Sequence, residues 1–162
     1  MAALAVRAAS QVLFLLRPSP AQGNKSLRFF ERYNCAQAVL HARCDQLHFD
    51  KDLAIRLATG FGAGLAREGE VCGAVSGGIL AISLRHGRGE MDDKSKTEET
   101  YAKTCEFVAR FKERHGSVLG RELIHCDLRT TEGQDFFKEN DLLHKTCVGC
   151  VETASELTDH AL

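Results

Sequence analysis

No proline occurs after residue 20, so nearly the whole chain is free to wind into uninterrupted helices. Its 162 residues are enough for one domain with a hydrophobic core. Tryptophan is absent and 7% of the residues are aromatic, which argues against the alternating aromatic and β-branched pattern of a sandwich or barrel. The sequence therefore predicts an all-α fold: a single-domain helical bundle.

Apolar residues recur at helical spacing along most of the chain. Ser26 and Asp50 are typical N-caps, so we expect one helix over residues 26–42 and another after Asp50. A third helix is expected from Asp92 or Asp93 to His115, with Gly116 as its C-cap, and a last one from near Asp141. On the third helix, the predicted inward-facing residues are Tyr101, Cys105, Val108 and Phe111.

The segment 71–84 is small and apolar throughout, and it predicts a buried, Gly-rich central helix that is too short to cross a bilayer. Gly73 and Gly77 would let a second helix approach this one closely. A disulfide needs such closeness, because its α-carbons must lie within about 7 Å of each other, and a shared metal has a similar requirement. We therefore predict that Gly73 and Gly77 belong to a cofactor-binding site.

Seven cysteines are spread over the predicted helices, and both their number and their spacing differ from a disulfide framework. Thiols used for redox or metal chemistry in a reducing compartment are the better interpretation. Cys72 falls in the first turn of the central helix, where free amides and the helix dipole are expected to lower its pKa. The alternative is a small buried cysteine on a glycine-rich packing face.

Cys147 and Cys150 form a CxxC pair, and residues three apart on a helix project to the same side. Both sulfurs could therefore serve one disulfide or one metal, or both could be ordinary core positions. Cys105 is predicted to be a structural core residue. His115 lies at the end of a predicted helix, where a positive charge is a sufficient explanation for it.

Four ordered blocks of sequence resemble a known family. They are the segments YNCAQAV (33–39), GFGAG (60–64) with CGAVSG (72–77), a stretch from Phe111 through residues 115–117 to REL (121–123), and Cys147 with Val151 and Glu152. Together they resemble the C_GCAxxG_C_C (CGAxxG-motif) family of redox-active proteins over roughly residues 26–160. The resemblance implies four characteristic cysteines, three of which match Cys35, Cys72 and Cys147. Gly120 stands where the fourth is expected, and Cys126 or Cys150 could replace it.

The resemblance implies a redox protein that uses clustered cysteines for thiol–disulfide exchange or electron transfer. In the thiol form, a possible oxidoreductase, Cys72 attacks and Cys35 or Cys147 resolves the mixed disulfide. In the electron-carrier form, the thiolates hold an iron–sulfur cluster. The alternative is a structural or regulatory module that binds zinc or an iron–sulfur centre through Cys35, Cys72, Cys147 and Cys150. A third possibility is a helical interaction domain whose thiols only pack.

The remaining expectations concern location and partners. Residues 1–25 are interpreted as an N-terminal extension or accessory helix before a helical cysteine-motif domain over residues 26–162. The basic composition of residues 1–25 is compatible with a targeting segment. Without such a segment, we expect a cytoplasmic location. A net charge of −1 gives no reason to expect nucleic acid. No membrane span is predicted. The expected partner is a redox protein of unknown identity, and the glycine-rich face could also serve a homodimer.

Overall fold

A computed structural model describes the backbone of residues 20–162 and the side chains of residues 25–162. The predicted all-α fold is confirmed: this part of the chain contains no β-strand, and one isolated bridge joins Val71 to Leu119. The helices are α1 (Pro20–Phe30), α2 (Cys35–His41), α3 (Cys44–Leu47), α4 (Lys51–Ala58), α5 (Gly73–His86), α6 (Ser95–His115), α7 (Gly120–Ile124), α8 (Thr131–Glu139) and α9 (Val148–Ala161). A 3₁₀ turn (Thr59–Phe61) follows α4, and a π-helical turn (Leu143–Cys147) leads into α9.

Helix α5 is the buried centre of the fold, as predicted. It packs against α2 on one side and against α6 and α9 on the other. A Cβ atom added at Gly77 would lie 2.5 Å from the carbonyl oxygen of Ala36, and one added at Gly78 would overlap the Phe107 ring. These two positions therefore need glycine because neighbouring helices pack directly on the α5 backbone.

The prediction of one helix over residues 26–42 is wrong. The first helix ends at Phe30, and α2 begins after Asn34, whose side chain accepts a hydrogen bond from the Gln37 amide at 3.0 Å while Gln37 bonds back to the Asn34 amide. This reciprocal capping box fixes a new helix start. Ser26 is not a cap; it is buried within α1, where its hydroxyl lies 2.8 Å from Ser155 Oγ. Asp50, by contrast, caps α4 as predicted.

Helix α6 is slightly rotated from its predicted orientation: Phe111 is buried and Val108 packs against the core as predicted, but the other two residues expected to face inward do not. Tyr101 is 62% exposed and Cys105 is also exposed, so the structural core role predicted for Cys105 is wrong. Thr100, Phe107 and Phe111 are the buried residues of this helix. The contact of Phe107 with the glycine face of α5 sets the rotation. The predicted end is confirmed, since Gly116 caps α6 with a φ of +80°.

Helix α9 joins the core through a stripe that includes Cys150, Val151 and Ala154. A buried ion pair ties it to the chain between α2 and α3: Arg43 Nε lies 2.9 Å from Asp159 Oδ1, and the fully buried guanidinium also donates to Ser155 Oγ at 2.7 Å. The pair thereby fixes α9 against the segment between α2 and α3.

Residues 1–19 of the predicted N-terminal extension lie outside the described residues. Helix α1 begins at Pro20 and continues past residue 25, the predicted domain boundary. Within residues 20–162, no helix combines the length and apolar character needed to cross a membrane.

Candidate functional site

Four of the seven cysteines line one pocket of about 350 Å³. Each comes from a different place in the fold. Cys35 is the first residue of α2, Cys72 is the N-cap of α5, Cys147 ends the π-helical turn and Cys150 lies in the first turn of α9. Helix packing therefore brings together sulfurs that are up to 115 residues apart in the sequence.

Cys72 occupies the middle of a row of three thiols. Its thiol interacts with that of Cys35 and with that of Cys150, each of which shifts the pKa of Cys72, and all three are free thiols. Cys35 also lies directly against the α5 backbone, because a Cβ atom at Gly73 would overlap its sulfur. The row therefore depends on glycine at the start of α5.

The lowered pKa predicted for Cys72 is wrong. The Ala74 amide and the bond with Cys35 favour its thiolate, but the hydrogen bond with Cys150, burial and the nearby Cys150 charge outweigh them and raise the pKa of Cys72 to about 12. The pKa of Cys35 is also well above its ordinary value, chiefly because of its hydrogen bond with Cys72 and burial, although the amides of Ala63 and Ala36 oppose the shift. A cluster of neighbouring thiols disfavours adding negative charge to any one of them.

Cys147 lines the same pocket and interacts with Cys35 rather than with Cys72. Burial raises the pKa of Cys147 to about 12, with further contributions from the charges of Cys35 and Cys126. Cys150, rather than Cys147, is thus the second neighbour of Cys72. The geometry favours Cys150 over Cys126 in place of the fourth family cysteine, since Cys126 does not line the pocket whereas Gly120 does.

His115 is a candidate residue that the sequence analysis missed. It is half-buried, with Nδ1 3.9 Å from Cys150 Sγ and Nε2 2.9 Å from Thr153 Oγ1. Its ring stacks on Phe111 at a centroid distance of 4.6 Å. Burial, and then the charge of Arg114, lower the pKa of His115, so its ring is neutral at pH 7 and able to accept a proton. The sequence spacing could have indicated that His115 faces the core, since it lies four residues after buried Phe111 and therefore on the same helix face.

A left-handed turn, defined here as residues 63–67, forms one wall of the pocket. All five residues have positive φ values between 52° and 79°, and Gly64 is the one glycine among them. Such a run costs about 1–2 kcal/mol for each non-glycine residue. The turn brings the Ala63 amide to Cys35 Sγ and puts Arg67 on the pocket lining.

The predicted cofactor-binding glycines occupy two different environments. Gly73 lines the pocket next to Cys35, whereas Gly77 packs against Ala36 and Val39 of α2. The described part of the chain contains no group of three or more His, Cys, Asp or Glu side chains arranged to hold a metal ion. The predicted four-cysteine metal site therefore stays a prediction.

The sequence was compared with models of known protein families. The family model described as "Putative redox-active protein (C_GCAxxG_C_C)" matches residues 33–161. The chain belongs to the C_GCAxxG_C_C family. No curated protein and no solved structure matches it. The family match spans all four pocket cysteines, and the family's redox description agrees with the general function expected from the sequence.

Proposed function

We propose that this C_GCAxxG_C_C protein is a thiol-based redox protein in which Cys72 forms a reversible disulfide with Cys35 or Cys150. The observation that carries the proposal is the position of Cys72 between two other thiols. A disulfide needs two sulfurs that can approach to bonding distance without a large movement of the backbone. Cys35 and Cys150 are both neighbours of Cys72, whereas Cys147 is not, so they are the more direct disulfide partners.

The reaction is an exchange of two electrons. The Cys72 thiolate attacks one sulfur of a substrate disulfide, forming a mixed disulfide and releasing the other sulfur as a thiol after protonation. The thiolate of Cys150 or Cys35 then attacks Cys72 Sγ, releasing the second substrate thiol and leaving a protein disulfide. Two protein thiols are oxidised and one substrate disulfide is reduced. An external dithiol would regenerate the protein by the reverse exchange.

His115 provides a route for the proton of Cys150. In the tautomer whose Nε2–H donates to Thr153 Oγ1, Nδ1 is an acceptor that faces the Cys150 sulfur. This arrangement allows His115 to act as a general base when Cys150 attacks the mixed disulfide. It supports Cys150 as the preferred resolving thiol, with Cys35 as the alternative.

The raised pKa values of Cys35 and Cys72 bear on whether this cysteine pair acts as an oxidant or as a reductant. A dithiol whose thiolate is stabilised is a strong oxidant, because its reduced form is favoured. Here the thiolates are disfavoured, so we expect a reducing couple. Attack is correspondingly slow until a base or a bound substrate assists removal of the proton.

Thiol counting and disulfide mapping test this proposal. The reduced protein is equilibrated with mixtures of oxidised and reduced dithiothreitol, quenched with an alkylating reagent and digested for mass spectrometry. We expect reversible loss of two thiols and a Cys72–Cys150 or Cys72–Cys35 linkage. Cys72→Ser should abolish the loss, whereas Cys105→Ser should not, because Cys105 is exposed and outside the pocket lining.

The two neighbours should be partly redundant. Cys35→Ser or Cys150→Ser alone should leave one linkage to Cys72, and the double variant should leave neither. Reversible loss of two thiols in Cys72→Ser, or no such loss in the unmodified protein, contradicts the proposal. Anaerobic metal analysis of the same preparation tests the alternative, since stoichiometric iron or zinc that depends on these cysteines would favour a metal centre.

A further inference from the structure

The pocket beside the thiols has the size and walls of a small-molecule site. Its volume of about 350 Å³ lies in the range of ligand-binding clefts. Aromatic and aliphatic side chains from α1, α7, α8 and the segments that follow them contribute to its lining: Phe30, Tyr33, Leu123, Leu128, Phe137 and Leu143. These walls fit a compact molecule with an apolar body.

The charges at the pocket are all of one sign. Arg67 and Lys138 are its charged lining residues, and no carboxylate side chain belongs to the lining. Arg67 forms no ion pair with a described side chain, and Lys138 has a single exposed partner, Asp135, at 3.8 Å. The pocket therefore favours a ligand with a negatively charged group.

Nearby acidic residues do not cancel this charge. Glu68 and Glu70 flank the end of the left-handed turn, but Glu68 pairs with Arg129 at 3.8 Å and Glu70 pairs with Arg121. Both of these acids thus have a cation of their own. The left-handed turn itself, which carries Arg67 and contains no acid, remains positively charged.

We propose that this pocket binds a low-molecular-weight disulfide with an apolar body and an anionic group, such as a carboxylate, that pairs with Arg67 and Lys138. This inference rests on the proposed function and names its substrate class. The apolar body would lie against the aromatic walls, where the four cysteines also line the cavity. Cys72 then attacks one substrate sulfur, and Cys150 or Cys35 completes the reduction to two substrate thiols.

Two aromatic disulfides that differ in charge test the inference. Dithiobis(nitrobenzoate) carries carboxylates, whereas dithiodipyridine is uncharged at pH 8. Single-turnover rates are measured with each probe, and the product disulfide is mapped by mass spectrometry. In the Arg67→Glu/Lys138→Glu variant, we expect the rate with dithiobis(nitrobenzoate) to fall by about tenfold or more, while that with dithiodipyridine changes by less than about twofold.

A control on the protein surface tests whether charge reversal outside the pocket has the same effect. Lys112 is exposed on α6 and does not line the pocket, so Lys112→Glu reverses a charge elsewhere and should leave both rates unchanged. Equal slowing with both probes, or the same slowing in Lys112→Glu, overturns the substrate class. The proposed function survives that result if dithiodipyridine still produces a disulfide at Cys72, and it fails if neither probe does.

A binding measurement does not depend on thiol chemistry. Anilinonaphthalenesulfonate is an aromatic anion that fluoresces in apolar surroundings, and it can be titrated into folded Cys72→Ser protein. We expect saturable binding that the Arg67→Glu/Lys138→Glu changes weaken by about tenfold, with no effect of Lys112→Glu. Absence of saturable binding, or binding that is indifferent to these two cations, contradicts the anion site.

Discussion

Cys150 Sγ and His115 Nδ1 lie 3.9 Å apart, although 35 residues separate them in the sequence. The histidine is held from two other sides, by the Thr153 hydroxyl and by the Phe111 ring. A thiol beside a positioned, neutral imidazole is an arrangement that permits general-base activation. It gives Cys150, at the end of the thiol row, a base that can accept its proton.

Replacing His115 by phenylalanine should slow the resolving step. The variant retains a ring against Phe111 but loses Nδ1, so Cys150 has no base beside it. In a Cys35→Ser background, which leaves Cys150 as the resolving thiol, we expect the rate at pH 7 to fall by about a hundredfold. Stopped mixed-disulfide reactions analysed by mass spectrometry measure this rate.

The pH profile distinguishes this role from a packing role. The rate with His115 present should fall as the pH drops through the lowered pKa of His115, because the protonated ring cannot accept a proton. That limb should disappear in His115→Phe. An unchanged profile, or a variant as fast as the parent, would leave His115 with a structural role alone.

The pocket thiols should react unusually slowly with iodoacetamide near neutral pH. The pKa of Cys72 and that of Cys147 are raised from 9.0 to about 12, so at pH 8 the thiolate fraction is about a thousandfold lower than in the unfolded chain. Their alkylation rates should therefore keep rising between pH 9 and 11. Peptide mapping of the native and urea-unfolded protein measures them, and a native plateau near pH 9 would contradict the raised values.

The same raised values predict a loss of stability in alkaline solution. Between pH 9 and 12 the unfolded chain releases protons from these thiols while the native protein retains them, so the free energy of unfolding falls as the pH rises. The expected slope is about 1.4 kcal/mol per pH unit for each such thiol. Urea unfolding across this range measures it, and Cys147→Ala should flatten the decline; an identical slope in the variant would argue against the shift.

Gly77→Ala should destabilise the protein by about 1–3 kcal/mol, because the added methyl group meets the Ala36 carbonyl at 2.5 Å. Gly149→Ala is the matched helical control, since a Cβ atom there meets nothing within 4 Å. The control should be neutral or more stable, as alanine favours helices by about 1 kcal/mol over glycine. Urea midpoints compare the two, and equal effects would contradict the close packing of α2 on α5.

Removing the Asp159 carboxylate should lower the free energy of unfolding for a different reason. Asp159→Ala leaves the fully buried Arg43 guanidinium without its carboxylate partner, and we expect a loss of about 3–5 kcal/mol in the free energy of unfolding. The double variant Arg43→Met/Asp159→Leu removes both charges and should recover most of this loss. A cost for the double change equal to that of the single one would indicate that the pair is not coupled.

The sequence predicted those helix features that depend on local chemistry. Asp50 and Gly116 act as caps, and the apolar segment after Cys72 is the buried helix. Ser26 was misinterpreted because a better start signal follows it, the capping box formed by Asn34 and Gln37. The rotation of α6 could not be read from its own residues, since contact with glycines of α5 determines which of its faces is buried.

The sequence indicated cysteines that lie at the pocket but not how they are arranged there. Sequence and family resemblance named Cys35, Cys72, Cys147 and Cys150, all of which line the pocket. An ideal helix would treat the last two alike, but Cys147 belongs to a π-helical turn and only Cys150 to regular α9. Local spacing therefore could not reveal which of them contacts Cys72.

The left-handed turn at residues 63–67 has a consequence for how this protein can vary. One stretch of strained backbone both directs an amide at Cys35 and carries Arg67 on the pocket lining. Relaxing it to an ordinary right-handed conformation would alter both the surroundings of the Cys35 sulfur and the position of the Arg67 charge on the pocket lining. A mutation that relaxes this backbone is therefore expected to change thiol reactivity and ligand preference together, whereas a side-chain change at Arg67 that keeps the turn should change ligand preference alone.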